Sequence, residues 1–190
     1  ELGSAMSYTE FIKAEFLVRA FTRMEPRMRF DEAERPVAIQ IYGEDVDEVV
    51  SAARLVQTKK PDLIDINLGC PAKSVVGYGA GVGMMRTPLK VARLFRNLKR
   101  EVSLPVTAKI RLGWENYRSY KLIARIIEDN GGAAIAVHGR TKEQGYGGEA
   151  DWDAIAEVQA AVKIPVTVAG GINAAVDPVE VSVAVVGQAL

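Results

Sequence analysis

Two hydrophobic periods take turns along most of this chain. Short runs rich in β-branched residues, at 36–42 (PVAIQIY), 61–68, 105–110, 133–138 and 165–169, read as strands. Between them the apolar positions fall three and four apart. Val46, Val49, Val50, Ala53 and Val56 make one helical stripe behind a capping pair, Asp45 and Glu48. Val91, Leu94, Phe95 and Leu98 make a second behind Thr87 and Pro88. Tyr120, Ile123, Ala124 and Ile127 make a third in a helix expected over 117–129, stopped by Asn130, Gly131 and Gly132, and residues 152–162 form a fourth.

Strand and helix alternating with no hairpin signals predict a parallel sheet with helical crossovers. A short strand with its turn at 4–11, a helix at 14–21 and a last strand at 181–186 complete the reading. The number of strands favours an α/β fold of TIM (β/α)8 type, in a single domain over 1–190, above a doubly wound sheet. The chain is shorter than the usual barrel of about 250 residues, so an incomplete one is expected. The connection between 171 and 181 is also short for a full crossover.

A composition of 48% hydrophobic and 25% charged residues supports a packed core. Twenty-four basic residues balance 24 acidic ones, so no global field argues for nucleic acid, and RNA contacts would have to be local. Arg23, Arg27, Arg29 and Arg35 form one such basic stretch, readable as a solvated loop or as a phosphate-contacting patch. One cysteine cannot make an internal disulfide, and no segment has the length and apolarity of a membrane helix. A cytoplasmic monomer is expected, with no membrane association. Histidines, cysteines and carboxylates show no metal spacing, so no metal is expected.

Chemistry concentrates where the strands end. Parallel strands share one carboxyl rim, the place where such folds build their sites. That rim would collect Gln40, Asn67, Cys70, Lys109, Arg111, His138 and Arg140, with glycines at Gly170, Gly171 and Gly187. Cations, amides, a thiol and an imidazole around one mouth suit an anionic cofactor and a polar ring. Each residue alone has a plainer reading. Lone cysteines are often core residues, a single histidine can be a satisfied core group, and a strand-end lysine can snorkel to solvent. An ordinary thiol is mostly protonated at neutral pH, which suits proton donation. The glycine-rich stretch 72–85 lacks the lysine and hydroxyl of a P-loop and reads as a mobile loop over the site.

The motifs QIYG, DINLGCP, VTAKIRLGW and VHGRTKEQGY with the following ADW, in that order, make the chain resemble the tRNA-dihydrouridine synthases. The resemblance runs from about Thr9 to Ile172. It implies an FMN-binding barrel in which hydride from reduced flavin reaches C6 of a flipped-out tRNA uracil while a cysteine protonates C5, with NADPH as electron donor. It implies Cys70 as that acid, Gln40, Lys109 and His138 at the flavin, and Asn67, Arg111 and Arg140 at the substrate. Ala169, Gly170, Gly171, Gly187 and Gln188 fall where the family holds FMN. There the chain has Ala-Gly-Gly for the frequent Asn-Gly-Asp, and Gly-Gln for Gly-Arg. The family's opening Pro-Met strand and its helical carboxyl-terminal domain are expected outside this chain. Three alternatives stand beside this reading: a dihydroorotate-dehydrogenase-like flavoenzyme, a sugar-phosphate barrel without flavin, and an inactive tRNA-binding remnant.

Overall fold

The computed structural model describes residues 6–170. The chain enters along the edge of a parallel sheet through β1 (Ser7–Tyr8) and β2 (Ile12–Lys13), which both pair with β3 (Val37–Tyr42). Register runs from Tyr8 opposite Ala38 to Ile12 opposite Ile41, so the first strand carries one extra residue, a bulge in the 9–11 stretch. Then follow β4 (Leu63–Leu68), β5 (Val106–Arg111), β6 (Ala134–His138) and β7 (Val166–Val168), each parallel to the one before it. The sheet order β1-β3-β4-β5-β6-β7 is sequential, and the sheet curls into a half-barrel, an incomplete TIM barrel.

The connections are α1 (Ala14–Arg19) and α2 (Phe21–Met24), then α3 (Val46–Gln57), α4 (Lys73–Val76), α5 (Pro88–Glu101), α6 (Tyr120–Asp129) and α7 (Trp152–Ala161). Asp45 caps α3 as its sequence predicts, accepting from the amides of Asp47 and Glu48, and Asp151 caps α7 through Ala154.

Alternation along the strands separates two environments. Ile39, Ile41, Ile64, Ile66, Leu68, Ala108, Ile110, Ile135 and Val137 pack with the helix stripes into one continuous core. The opposite, concave face carries Gln40, Asp65, Asn67, Thr107, Lys109, Arg111 and His138 in the alternate positions. The apolar core thus fixes, by the pleat alone, which side chains line the inner surface.

Four expectations need correction or relocation. The helix expected from residue 117 begins at Tyr120, because Trp114 and Tyr117 exchange both backbone hydrogen bonds in a tight turn after Gly113. The helix over 14–21 breaks at Ala20, whose φ of −146° is not helical. The stretch 72–85 is not a mobile loop: α4 and a 3-10 turn over Gly81–Arg86 bury Val75, Val82, Met84 and Met85. Apolar side chains between its glycines supply the packing. The strand expected at 181–186 lies outside the described residues.

Candidate active site

The concave face rises in rows toward the carboxyl rim. Gln40, Asp65, Thr107 and Ala134 share one level by register, Asn67, Lys109, Ala136 and Thr167 the next, and Arg111 and His138 the third. Cys70 follows β4 at the rim and is part-exposed.

A continuous polar chain fixes the lower rows. Asp65 is fully buried, and its two carboxylate oxygens accept from Thr107 Oγ1 at 2.5 Å and Gln40 Nε2 at 2.7 Å. Gln40 Oε1 accepts from Asn67 Nδ2 at 2.9 Å, and Asn67 Oδ1 accepts from the backbone amides of Gly69 at 3.1 Å and Cys70 at 2.9 Å. The turn that presents the thiol is therefore tied to the strand beneath it. From the other side, Val82 N–H donates to the Cys70 carbonyl at 3.2 Å. A Cβ on Gly81, whose φ is +56°, would stand 2.7 Å from that carbonyl oxygen, so only glycine lets the 3-10 turn close on Cys70.

The upper row is cationic. Arg111 is buried and holds its surroundings through the backbone: Nε donates to Gly69 O at 2.9 Å, and Nη1 to Gly145 O at 2.7 Å and Thr141 O at 3.2 Å. Burial, and then the neighbouring Arg111, lower the Lys109 ammonium from its usual value. No hydrogen bond or ion pair satisfies Lys109 among the described residues, which leaves it directed to whatever the mouth holds.

Arg140 Nη1 lies 3.1 Å from His138 Nε2. A guanidinium only donates, so Nε2 accepts and His138 is neutral, with its proton on Nδ1. Burial and the charges of Arg111, Lys109 and Arg140 push its pKa down to about 4, in agreement. Arg140 also donates to Gly148 O at 2.8 Å. Tyr146, 82% exposed, lies with its ring 6.1 Å from the His138 ring and 5.5 Å from the Arg111 guanidinium carbon.

Gln40, Asn67, Cys70, Lys109, Arg111, His138 and Arg140 thus come together on one face and rim. Asp65, Thr107 and Tyr146 join them without having been singled out from the sequence. The signal for Asp65 lay in DINLG, where Asp and Asn alternate with isoleucine and must share a face. In the basic stretch of residues 23–35, Arg27 pairs with Glu10, and Arg35 with Glu32 and Asp62, so these two cations are internally satisfied.

The sequence model of the family described as Dihydrouridine synthase (Dus) matches residues 1–182. The chain belongs to the dihydrouridine synthase family. It is 45% identical over 139 residues to "tRNA-dihydrouridine synthase B" of Xanthomonas campestris pv. campestris, an alignment covering 73% of this chain and 42% of that protein. A "Probable tRNA-dihydrouridine synthase" of Rhizobium leguminosarum bv. phaseoli is 36% identical over 180 residues, covering 94% and 56%. A "tRNA-dihydrouridine synthase B" of Pseudomonas aeruginosa is 37% identical over 175 residues, covering 90% and 52%. The chain spans about half the length of the curated relatives it matches.

Of the positions tied to the cofactor by the dihydrouridine synthase pattern, Gly171, Gly187 and Gln188 lie outside the described residues. Ala169 follows β7, and its amide is taken by the Val137 carbonyl at 2.9 Å. Gly170, at φ +83°, packs so closely on His138 that a Cβ would stand 2.8 Å from Nε2. Among the described residues no helix is long and apolar enough to cross a membrane, and no three His, Cys, Asp or Glu side chains gather as a metal would need.

Proposed function

We propose that this chain is the catalytic half-barrel of a tRNA-dihydrouridine synthase that reduces uridine in tRNA, using FMN and drawing electrons from NADPH. The observation that carries the proposal is the convergence of a tethered Cys70 with the part-buried Lys109 ammonium, unpaired among the described residues, on one rim of a chain from this family.

The donor set fits a flavin. Among the described residues Lys109 lacks a partner, Ala136 and Thr167 leave the concave face part-open in the row above Asp65, and Gln40 in the row below and His138 in the row above border that opening. FMN, when bound and reduced, supplies the hydride for C6 of the uracil. Lys109 and Gln40 hold the ring, and neutral His138, fixed by Arg140, supports it without adding charge. Cys70 stands at the exposed edge and transfers its thiol proton to C5, leaving a thiolate that takes a proton from solvent. Arg111 and Arg140 draw the nucleotide toward the rim. Asn67 holds the thiol in place and has one Nδ2 hydrogen left for the base. A base must leave its stack to enter such a mouth, which favours uridines in unpaired loops.

The test uses the FMN-loaded chain with NADPH and unmodified tRNA, counting dihydrouridine formed. Cys70→Ala is expected to retain FMN and lose at least about a hundredfold in rate, the usual contribution of a positioned acid. A fully active Cys70→Ala protein would remove Cys70 from this role. Oxidation of dihydroorotate in place of tRNA reduction would favour the related dehydrogenase reading.

A further inference from the structure

Asp65 is a buried acid that the proposed chemistry does not use. It makes no hydrogen bond to the thiol, and no arginine or lysine pairs with it at contact distance among the described residues. Lys109 is the charged group it feels across the concave face, and its own charge reaches the Tyr8 hydroxyl. What it does have is two hydrogen bonds, one at each oxygen, at the foot of the relay that ends on Cys70.

An ionised carboxylate only accepts, whereas a side-chain amide has one accepting and one donating end. Asp65 Oδ2 therefore demands the NH2 end of Gln40, which turns Gln40 Oε1 toward β4. That oxygen demands the NH2 end of Asn67, which turns Asn67 Oδ1 toward the rim, where it receives two backbone amides. Reversing either amide would set NH2 against NH2 or oxygen against oxygen. Without the acid, Gln40 Nε2 loses its buried acceptor and Gln40 is oriented from one side only, by an Asn67 amide that the two turn amides polarise, so the turn loses its anchor from below.

We infer that Asp65 is a positioning residue that anchors the Gln40 and Asn67 amides from below and through them holds the Gly69–Cys70 turn in its thiol-presenting form. The structural half of this inference stands on the hydrogen bonds; its catalytic consequence rests on the role proposed above for Cys70.

The experiment needs neither flavin nor tRNA. Hydrogen exchange of the Gly69 and Cys70 amides is followed by NMR in the full chain, with folding checked from amides on β5 and α5. Asp65→Leu, close in size and unable to accept, is expected to speed exchange of both amides at least tenfold. Asp65→Asn still accepts from Gln40 through its oxygen while donating to Thr107 Oγ1, and should stay within about twofold of the wild-type rate. In an Asn67→Ala background, where the accepting oxygen is gone, Asp65→Leu should add nothing. If Asp65→Leu does not fold, Gln40→Met cuts the same relay one step later and should give the same acceleration. Wild-type exchange in the folded Leu or Met variant would overturn the inference. So would an Asp65→Leu effect that persists without Asn67, or an Asp65→Asn protein as fast as Asp65→Leu. A Cys70→Ala enzyme with full activity would instead leave the relay intact and remove only its catalytic meaning.

Discussion

Asp65 and His138, on the same concave face, give stability opposite dependences on pH. Burial raises the Asp65 pKa from 3.8 to about 6, even with the opposing hydrogen bonds from Thr107 and Gln40. Between those values the folded state keeps a proton that the unfolded chain releases, so stability falls as pH rises through the window. His138 behaves oppositely: depressed from 6.5 to about 4, it stays neutral where the unfolded chain is charged, so stability is lost as pH falls. Each effect is on the order of 3 kcal/mol, and the two nearly cancel between pH 4 and 6. Asp65→Asn removes only the first. Its stability relative to wild type, measured by urea unfolding, should therefore rise by on the order of 3 kcal/mol from pH 4 to pH 7. A difference that does not change with pH would mean Asp65 is ionised normally. At this scale the sequence disclosed residue types and their shared rim. It did not disclose that Asn67 spends its oxygen on the Cys70 turn or that Arg111 spends its guanidinium on Gly69, Thr141 and Gly145. Partner choice depends on distances of a few tenths of an ångström, which periodicity does not encode.

Helix and strand positions were legible because burial imposes a period. Val91, Leu94, Phe95 and Leu98 of α5 are all buried, as their spacing requires, while Leu89 on the same helix is 87% exposed. Phe95→Ala is expected to destabilise by about 4 kcal/mol and Leu89→Ala by no more than about 0.5 kcal/mol, read from denaturant midpoints. Similar losses at both sites would contradict the assigned helix face. The glycines of 72–85 resemble those of a flexible loop in sequence, yet one of them exists for close approach. Gly81→Ala forces a Cβ onto the Cys70 carbonyl at a left-handed φ and should cost about 2 kcal/mol. It should also speed exchange of the Val82 amide, which bonds that carbonyl. At α6 the opposite holds: Tyr117 continues the helical pattern but is captured by Trp114 in a local bridge, so the helix starts at Tyr120.

At the scale of the molecule, a sequential parallel sheet with one apolar and one polar face was foreseeable from the alternation of periods. Its concave face carries the whole thiol relay and the cationic row, on which the proposed flavin and base contacts rest. The measurement that tests this most directly is the visible absorbance spectrum of the purified chain after addition of FMN and desalting, with Lys109→Met alongside. Retained flavin bands near one equivalent in the wild type, with binding at least tenfold weaker in Lys109→Met, are the predicted result. A colourless wild-type chain, or equal retention by both proteins, would contradict a flavin site built on this rim.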